Sequence, residues 1–260
     1  MWRVKVLASG SRGNATLVQT DAGAYLVDAG LSGRELEQRL AAEGVNAHDL
    51  CGVVVTHEHT DHVSALKVFA KKWDLKVYCN RGTAYELRKR IPDHQHWCLF
   101  ETGSRFSLAG VEIKTHRVSH DAAEPIAVIM SYRGVKFGIV TDLGKATYLD
   151  IEELKGLHGI LLEANYDLKM LQEDAKRPWE IKQRIMSRSG HLSNEAARDL
   201  LKEIAWDGLS RVILGHLSQD CNTSQHALSC IKEALLPQKL NSMKIDTATQ
   251  ETGAEAWIVT

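Results

Sequence analysis

Residues 56–62 read T-H-E-H-T-D-H, three histidines and one aspartate within seven positions, directly after the apolar run Val53-Val54-Val55. Imidazoles and carboxylates are the metal ligands available at neutral pH. On an extended backbone side chains two apart point the same way, so His57 and His59 share a side while Glu58 points away. Asp61 and His62 then fall at the start of a following helix, one step round. Four ligands divided two and two at a strand-to-helix junction suit a pair of metal ions; a single closed tetrahedral site would not need the split. Solvated loop histidines are the plain alternative, and the fixed H-x-H-x-D-H pattern behind an apolar strand argues against it.

The remaining ligands are expected where later strands stop, the usual place for functional side chains in layered α/β proteins. His120 closes the strand-like stretch into V-S-H-D, Asp142 ends Gly138-Ile139-Val140-Thr141-Asp142, and His216 follows Val212-Ile213-Leu214 in G-H-L-S. His116 competes with His120 for one place; the loop-like Ser119, Asp121 and Pro125 favour His120. By ligand type the expected cofactor is two Zn2+ ions, with Mn2+ as the alternative because carboxylates and open positions also accept it.

Taken in order, T-H-E-H-T-D-H, S-H-D, T-D and G-H-L-S resemble the motifs of the metallo-β-lactamase superfamily. That resemblance implies that His57, His59 and His120 hold one metal, that Asp61, His62 and His216 hold the other, and that Asp142 bridges them. Asp28 in L-V-D-A-G resembles the first motif, an aspartate that supports the site without ligating. The opening L-A-S-G-S-R-G-N-A-T, the segments S-H-D-A-A-E-P and S-G-H-L-S-N-E-A, and V-I-L-G-H-L-S-Q-D are similar to the YycJ/WalJ group, from Leu7 to about Asn222. This closer likeness implies a 5′-to-3′ DNA exonuclease. One departure is E-A-N-Y-D, where Tyr166 stands at a position expected to hold histidine; that bears on a secondary substrate contact.

A divalent metal lowers the pKa of bound water toward about 7, so the set points to hydrolysis at a carbonyl or at phosphorus. Asp61 would both ligate and orient the nucleophile. A departing alkoxide needs a proton, and a positioned histidine is the usual donor. His191 in S-G-H-L-S-N-E-A-A lies just ahead of a helix capped by Ser193 or Asn194, whose free N–H groups suit a phosphate. The segment resembles the H-S-T-x-x-E-A element of ribonuclease Z, where the histidine is a proton donor helped by a glutamate; Glu163, ending I-L-L-E, matches that helper.

Between these two elements Lys176, Arg177, Lys182, Arg184 and Arg188 surround Trp179, cations for a backbone and an aromatic for stacking on a base. An amphipathic helix with Trp179, Ile181 and Ile185 inward is the competing reading. Ser9, Ser11 and Asn14 in the Gly-rich first loop could also meet phosphate. The candidate substrate contacts are therefore Ser9, Ser11, Asn14, Trp179 and Arg188, and the expected partner is a nucleic acid, with DNA as a single strand or an end as the leading expectation.

The elements that must position these residues alternate in two halves. Short β-rich runs at 4–8, 16–19 and 25–28 precede a helix over 33–43, a strand over 52–55, a helix over 61–73, a strand over 76–79 and a helix over 83–90. Strands follow at 105–108, 111–117, 126–132 and 136–141, the last two joined by a two-residue turn at Arg133-Gly134. Strands at 159–162, 211–214 and 256–259 and helices at 180–186, 194–204 and 224–235 complete the pattern. Two β-rich halves that each collect helices predict one domain over 1–260, an α/β fold built as a four-layer αββα sandwich of the metallo-β-lactamase kind.

Composition excludes other classes. The net charge of −1 rules out a globally basic nucleic-acid binder, so such a partner must meet a local patch. No apolar run approaches the roughly 18 residues of a membrane span. The odd set of five cysteines without C-x-x-C, and a start that lacks the apolar core of a signal peptide, fit the cytoplasm. Against the nuclease stand a thioesterase or lactonase of the same superfamily, which needs neither a basic channel nor His191. A non-catalytic, metal-stabilised binder of single strands is the competitor from another class. A di-iron reductase is disfavoured because His59 stands where it would offer a carboxylate.

Overall fold

The computed structural model describes residues 1–233 and 243–259. The chain opens with β1 (Trp2–Ala8), β2 (Ala15–Thr20), β3 (Gly23–Val27), α1 (Gly33–Ala42) and β4 (Leu50–Val54). Past the ligand cluster come α2 (Thr60–Val63), α3 (Leu66–Lys72), β5 (Val77–Cys79), α4 (Arg81–Arg90) and β6 (Trp97–Leu99). Four antiparallel strands follow: β7 (Arg105–Leu108), β8 (Val111–Arg117), β9 (Ile126–Tyr132) and β10 (Val135–Val140). The rest alternates through α5 (Tyr148–Leu154), β11 (Gly159–Glu163), α6 (Leu168–Glu173), α7 (Trp179–Ile185), α8 (Asn194–Ile204), β12 (Arg211–Gly215) and α9 (Ser224–Lys232). It closes on β13 (Lys244–Thr247) and β14 (Trp257–Val259). The helix expected over 224–235 runs at its end outside the described residues.

The strands make two seven-stranded sheets, β14-β1-β2-β3-β4-β5-β6 and β13-β12-β11-β10-β9-β8-β7. Period-two patterning decides how they meet. Trp2, Val4 and Val6 of β1 share a core with Tyr25 and Val27 of β3 and with Phe137, Ile139, Leu161 and Ile213 of the other sheet. Their alternates face helices instead. Leu26 and Val53 pack with Leu36, Leu40, Phe69 and Leu87 from α1, α3 and α4. Ile160, Leu162, Val212 and Leu214 pack with Leu154, Leu200, Leu201 and Ile231 from α5, α8 and α9. Each large side chain so buried contributes roughly 1.5–3 kcal/mol before entropy is counted. The four-layer αββα sandwich expected from the sequence is the fold. No helix among the described residues is long and apolar enough to cross a membrane, and all five cysteines are free.

The Arg133-Gly134 turn has φ of 50° and 83°, the paired positive values of a type I′ hairpin. The helix expected over 61–73 is instead two, α2 and α3. The carbonyl of Asp61 is taken by the Asn14 N–H at 2.7 Å, and the Ala65 N–H that would have bonded it donates to Ala29 at 2.9 Å. Ala29 N–H in turn donates to the His62 carbonyl at 2.8 Å. These bonds break the helical ladder in order to fasten the ligand turn to the loop after β3. That loop needs Gly30, because a Cβ there would stand 1.6 Å from the Asp61 carbonyl oxygen.

Candidate metal centre

The predicted ligands converge at one end of the sandwich. His57, His59 and His120 each bring a ligand atom within 4.8 Å of the others, and Asp61, His62 and His216 do the same. Asp142 lies between the groups: its Oδ2 is 3.0 Å from His62 Nε2, and its Oδ1 is 3.6 Å from Nε2 of both His120 and His216. Asp28, Asp142 and His216 each follow a strand with φ of 61°, 59° and 55°. A left-handed conformation costs a non-glycine residue of order 1–3 kcal/mol, so strain is concentrated at the strand ends that build the site.

Hydrogen bonds to the far side of each ring decide which nitrogen faces the centre. His62 Nδ1 donates to Asp28 Oδ2 at 2.8 Å, His120 Nδ1 to the Gly190 carbonyl at 2.9 Å, and His216 Nδ1 to Glu163 Oε1 at 2.9 Å. That leaves three Nε2 lone pairs turned inward, an arrangement that fixes tautomers for metal ligation. His57 Nε2 is buried with no hydrogen-bond partner, and Asp142 Oδ2 accepts none despite its closeness to His62. Leaving such buried lone pairs without a donor is costly, and a cation among them would satisfy both. The donor set of imidazoles and carboxylates fits a divalent metal.

The electrostatics agree. Burial pushes His57 well below the ordinary imidazole value, helped by the neighbouring His62, so it is a neutral ligand. Burial would also lower His62, but the charges of Asp28, Asp142 and Asp61 more than offset it and raise it well above. For His216 burial is likewise outweighed, by Asp142, Asp61 and Glu163. Asp142, despite complete burial, is held well below the carboxylate range by His216, His62 and His57. The carboxylates thus demand positive charge at this point, as proton or as metal ion.

Glu163 stands behind the centre. Its Oε1 accepts from His191 Nδ1 at 2.7 Å as well as from His216, and its Oε2 accepts from the backbone N–H groups of Leu143 and Leu192 at 2.8 and 3.2 Å. His191 lines a cleft of about 240 Å3 together with Ser11, His59, Asp61, His120, Asp142 and His216. Ser193 is the cap of α8, accepting from the Ala196 N–H at 3.1 Å.

This constellation of strand ends on an αββα sandwich matches a known family. The chain belongs to the metallo-β-lactamase superfamily. The family's model, described as the metallo-beta-lactamase superfamily, matches residues 8–216. The likeness to the YycJ/WalJ group is borne out: the chain is 38% identical over 233 residues to the exodeoxyribonuclease YycJ of Bacillus anthracis, covering 88% of each. It is 34% identical over 234 residues to the exodeoxyribonuclease WalJ of Streptococcus pneumoniae, covering 87% of this chain and 85% of that one. Among solved structures, the metallo-beta-lactamase fold protein YhfI from Bacillus subtilis superposes with a TM-score of 0.77 at 16% identity, over 99% of this chain and 100% of that one.

Not every expected residue faces the cleft. Ser9 and Asn14, expected to meet phosphate, are buried behind the ligands. Ser9 Oγ accepts the His216 N–H at 2.8 Å, and Asn14 Nδ2 lies 3.1 Å from His62 Nε2. Ser11 does line the cleft. The basic segment is thinner than its composition. Lys182 is buried and donates to the Gln172 carbonyl, Lys176 is paired with Asp220, and Arg177 with Asp174 and Asp220. The amphipathic alternative fails too, since Trp179 is 56% exposed and Ile181 41%, while Lys182 takes the inward place on α7. Trp179 and Arg188 are not among the residues lining the cleft, where α7 contributes Ile181, Arg184 and Ile185. Tyr166 is buried against Leu171 and Cys221.

Sequence reasoning missed several supports. Thr56 Oγ1 donates to Asp28 Oδ2 at 2.9 Å, joining the first motif to the ligand turn. Glu58 points away from the centre, as expected, yet its Oε1 accepts from Ala123 N–H at 2.8 Å and ties the His57–His59 loop to the His120 loop. Asn165 Nδ2 donates to the His216 carbonyl at 2.7 Å. Each bond spans tens of residues or more, so no local pattern announces it.

Proposed function

We propose that the chain is a dinuclear metal-dependent phosphodiesterase that degrades DNA from an end, with Zn2+ as the metal and Mn2+ as its alternative. The observation that carries the reading is the His191–Glu163 pair placed at the edge of the ligand cluster. A carbonyl hydrolase has no need of a buried carboxylate holding a second, non-ligating imidazole at the cleft. The names of the relatives, both exodeoxyribonucleases, point the same way.

In this reading His57, His59 and His120 would hold one ion and Asp61, His62 and His216 the other, with Asp142 placed between the two groups. When bound, the ions supply an activated water and a Lewis-acidic hold on the phosphoryl oxygens. Asp61, partly open to the cleft, orients the attacking water. Glu163 fixes the His191 Nδ1–H, so Nε2 is the nitrogen that carries a proton to the departing alkoxide. Burial depresses the His191 pKa, but the Glu163 charge and hydrogen bond, with Asp142, raise it above the ordinary value. That direction favours the protonated ring, the form a proton donor needs. Ser11 lies at the cleft where a phosphate oxygen would rest, with Trp179 and Arg188 farther along the strand's path.

An end-labelled DNA assay with Zn2+ or Mn2+ tests this, run on single and double strands beside RNA. Stepwise shortening from one end is expected. Unchanged substrate length together with hydrolysis of a glutathione thioester would overturn it.

A further inference from the structure

At the mouth of the cleft Asp121, the residue after His120, faces two ways. Its Oδ1 is 3.4 Å from His120 Nε2, the nitrogen turned toward the centre. Its Oδ2 accepts from Arg184 Nε at 2.6 Å and from Nη2 of the same guanidinium, which reaches across from α7. Arg184 side chain is 64% exposed, and its Nη1 makes no hydrogen bond to the described residues. Both residues line the cleft. A carboxylate at the entrance repels a polyanion unless its charge is cancelled, and a guanidinium fork matches phosphate as well as it matches carboxylate.

We propose that Arg184 is the clamp for a substrate phosphate beside the scissile one, and that Asp121 holds its place until substrate arrives. Resting on the phosphodiesterase reading, this narrows the substrate class to chains of at least two phosphates. In the free protein Asp121 orders the fork at the cleft mouth and neutralises it. A phosphodiester oxygen then displaces the carboxylate from the guanidinium, and the competition sets affinity. Of the five cations in the segment, Lys176, Arg177 and Lys182 are engaged elsewhere, and only Arg184 lines the cleft.

A clamp and a merely structural ion pair differ in sign. If the pair only holds α7 in place, removing either partner weakens binding alike. If Asp121 competes with substrate, its removal strengthens binding while loss of Arg184 weakens it. The test is equilibrium binding of a fluorescent single-stranded oligodeoxynucleotide to the zinc-loaded protein carrying His191→Ala, with metal content measured for each variant. Arg184→Gln is expected to raise Kd about tenfold and to reduce the slope of log K against log salt by roughly 0.7, the loss of one phosphate contact on a single strand. Arg184→Lys, with charge but no fork, falls between. Asp121→Asn is expected to lower Kd severalfold with metal retained. In turnover by the otherwise unmodified enzyme, Arg184→Gln raises KM for the oligonucleotide far more than for bis-p-nitrophenyl phosphate, which has a single phosphate. A weaker Kd in both variants, an unchanged Kd in Arg184→Gln, or loss of metal in Asp121→Asn overturns the clamp. Opposite shifts in Kd without any cleavage by the unmodified protein would leave the clamp standing and overturn the nuclease instead.

Discussion

Glu163 Oε1 lies 2.7 Å from His191 Nδ1, and the same oxygen lies 2.9 Å from Nδ1 of His216. One carboxylate oxygen therefore orients a metal-centre imidazole and the imidazole proposed to carry the proton. Its other oxygen is fixed by two backbone N–H groups, from Leu143 and Leu192. The two rings share one acceptor, and the spacing between them is built into a single side chain.

Separating the two roles gives the first prediction. His191→Ala removes the donor alone and is expected to slow phosphodiester cleavage by about 10²–10⁴-fold, the usual worth of general acid catalysis, with metal content unchanged. Glu163→Gln disturbs both rings, so it should lose activity and also weaken metal binding by about 10–100-fold. Metal analysis beside kcat checks both; loss of metal in His191→Ala with a proportionate loss of activity would make His191 structural.

The pH profile follows from the same pair. Glu163 raises the His191 pKa above its ordinary value, so the donor form persists above the usual histidine range and disappears as pH rises through the raised value. Removing the negative charge in Glu163→Gln lowers that pKa. The alkaline limb of kcat/KM should accordingly move to lower pH in the variant, and a limb that stays put or moves up would show that another group titrates there.

How much of this was legible in the sequence depends on the distance each interaction spans. His57, His59, Asp61 and His62 announce themselves within one turn, and His120, Asp142 and His216 each stand where an apolar run stops. The alternation in Trp2-Arg3-Val4-Lys5-Val6 matches the burial along β1, where the apolar residues face inward. The α5 helix passed unread although Thr147 and Asp150 form a capping box at its start, a signal the pattern of apolar residues did not include. The burial of Lys182 and the break between α2 and α3 had no local signal. They depend on the Gln172 carbonyl and on the Asn14 N–H, which only the fold brings near.

Asp28 offers a test of support without ligation. It accepts from Thr56 N–H at 2.8 Å and from His62 Nδ1, in a left-handed conformation that asparagine also tolerates. Asp28→Asn keeps the shape and removes the charge that, if His62 ligates as proposed, would strengthen it as a ligand. A 10–100-fold weaker zinc affinity is expected, about the usual effect of losing such a partner, with the circular dichroism spectrum unchanged. Zinc titration against a competing chelator measures it.

Removing the metal should destabilise the protein, because ions bound only by the folded state stabilise it by RT ln(1 + [L]/Kd). Without them the buried lone pairs of His57 and Asp142 lose their partner. Thermal unfolding with EDTA is expected to give a lower Tm, restored by added Zn2+, and a Tm that rises with Zn2+ concentration. An unchanged Tm in EDTA with the metal shown to be gone would mean that the carboxylates and imidazoles satisfy one another.

His116 and His120 compete for one ligand place in the sequence, and the fold puts them in different surroundings. His120 Nε2 faces the centre, whereas His116 Nε2 is bound to Asp150 Oδ1 at 2.7 Å, beside the cap of α5. Burial would raise the Asp150 pKa, but the bonds from His116 and Thr147 lower it below the ordinary carboxylate value. A depressed carboxylate contributes stability that is present above its unfolded pKa and is lost as pH falls through the folded one. His116→Ala leaves the carboxylate short of a donor and is expected to cost about 1–3 kcal/mol, with metal content and kcat retained. His120→Ala should do the reverse, losing metal with a smaller effect on the stability of the metal-free protein. Chemical denaturation with EDTA, paired with metal analysis, separates the two, and loss of zinc in His116→Ala would return it to the ligand set.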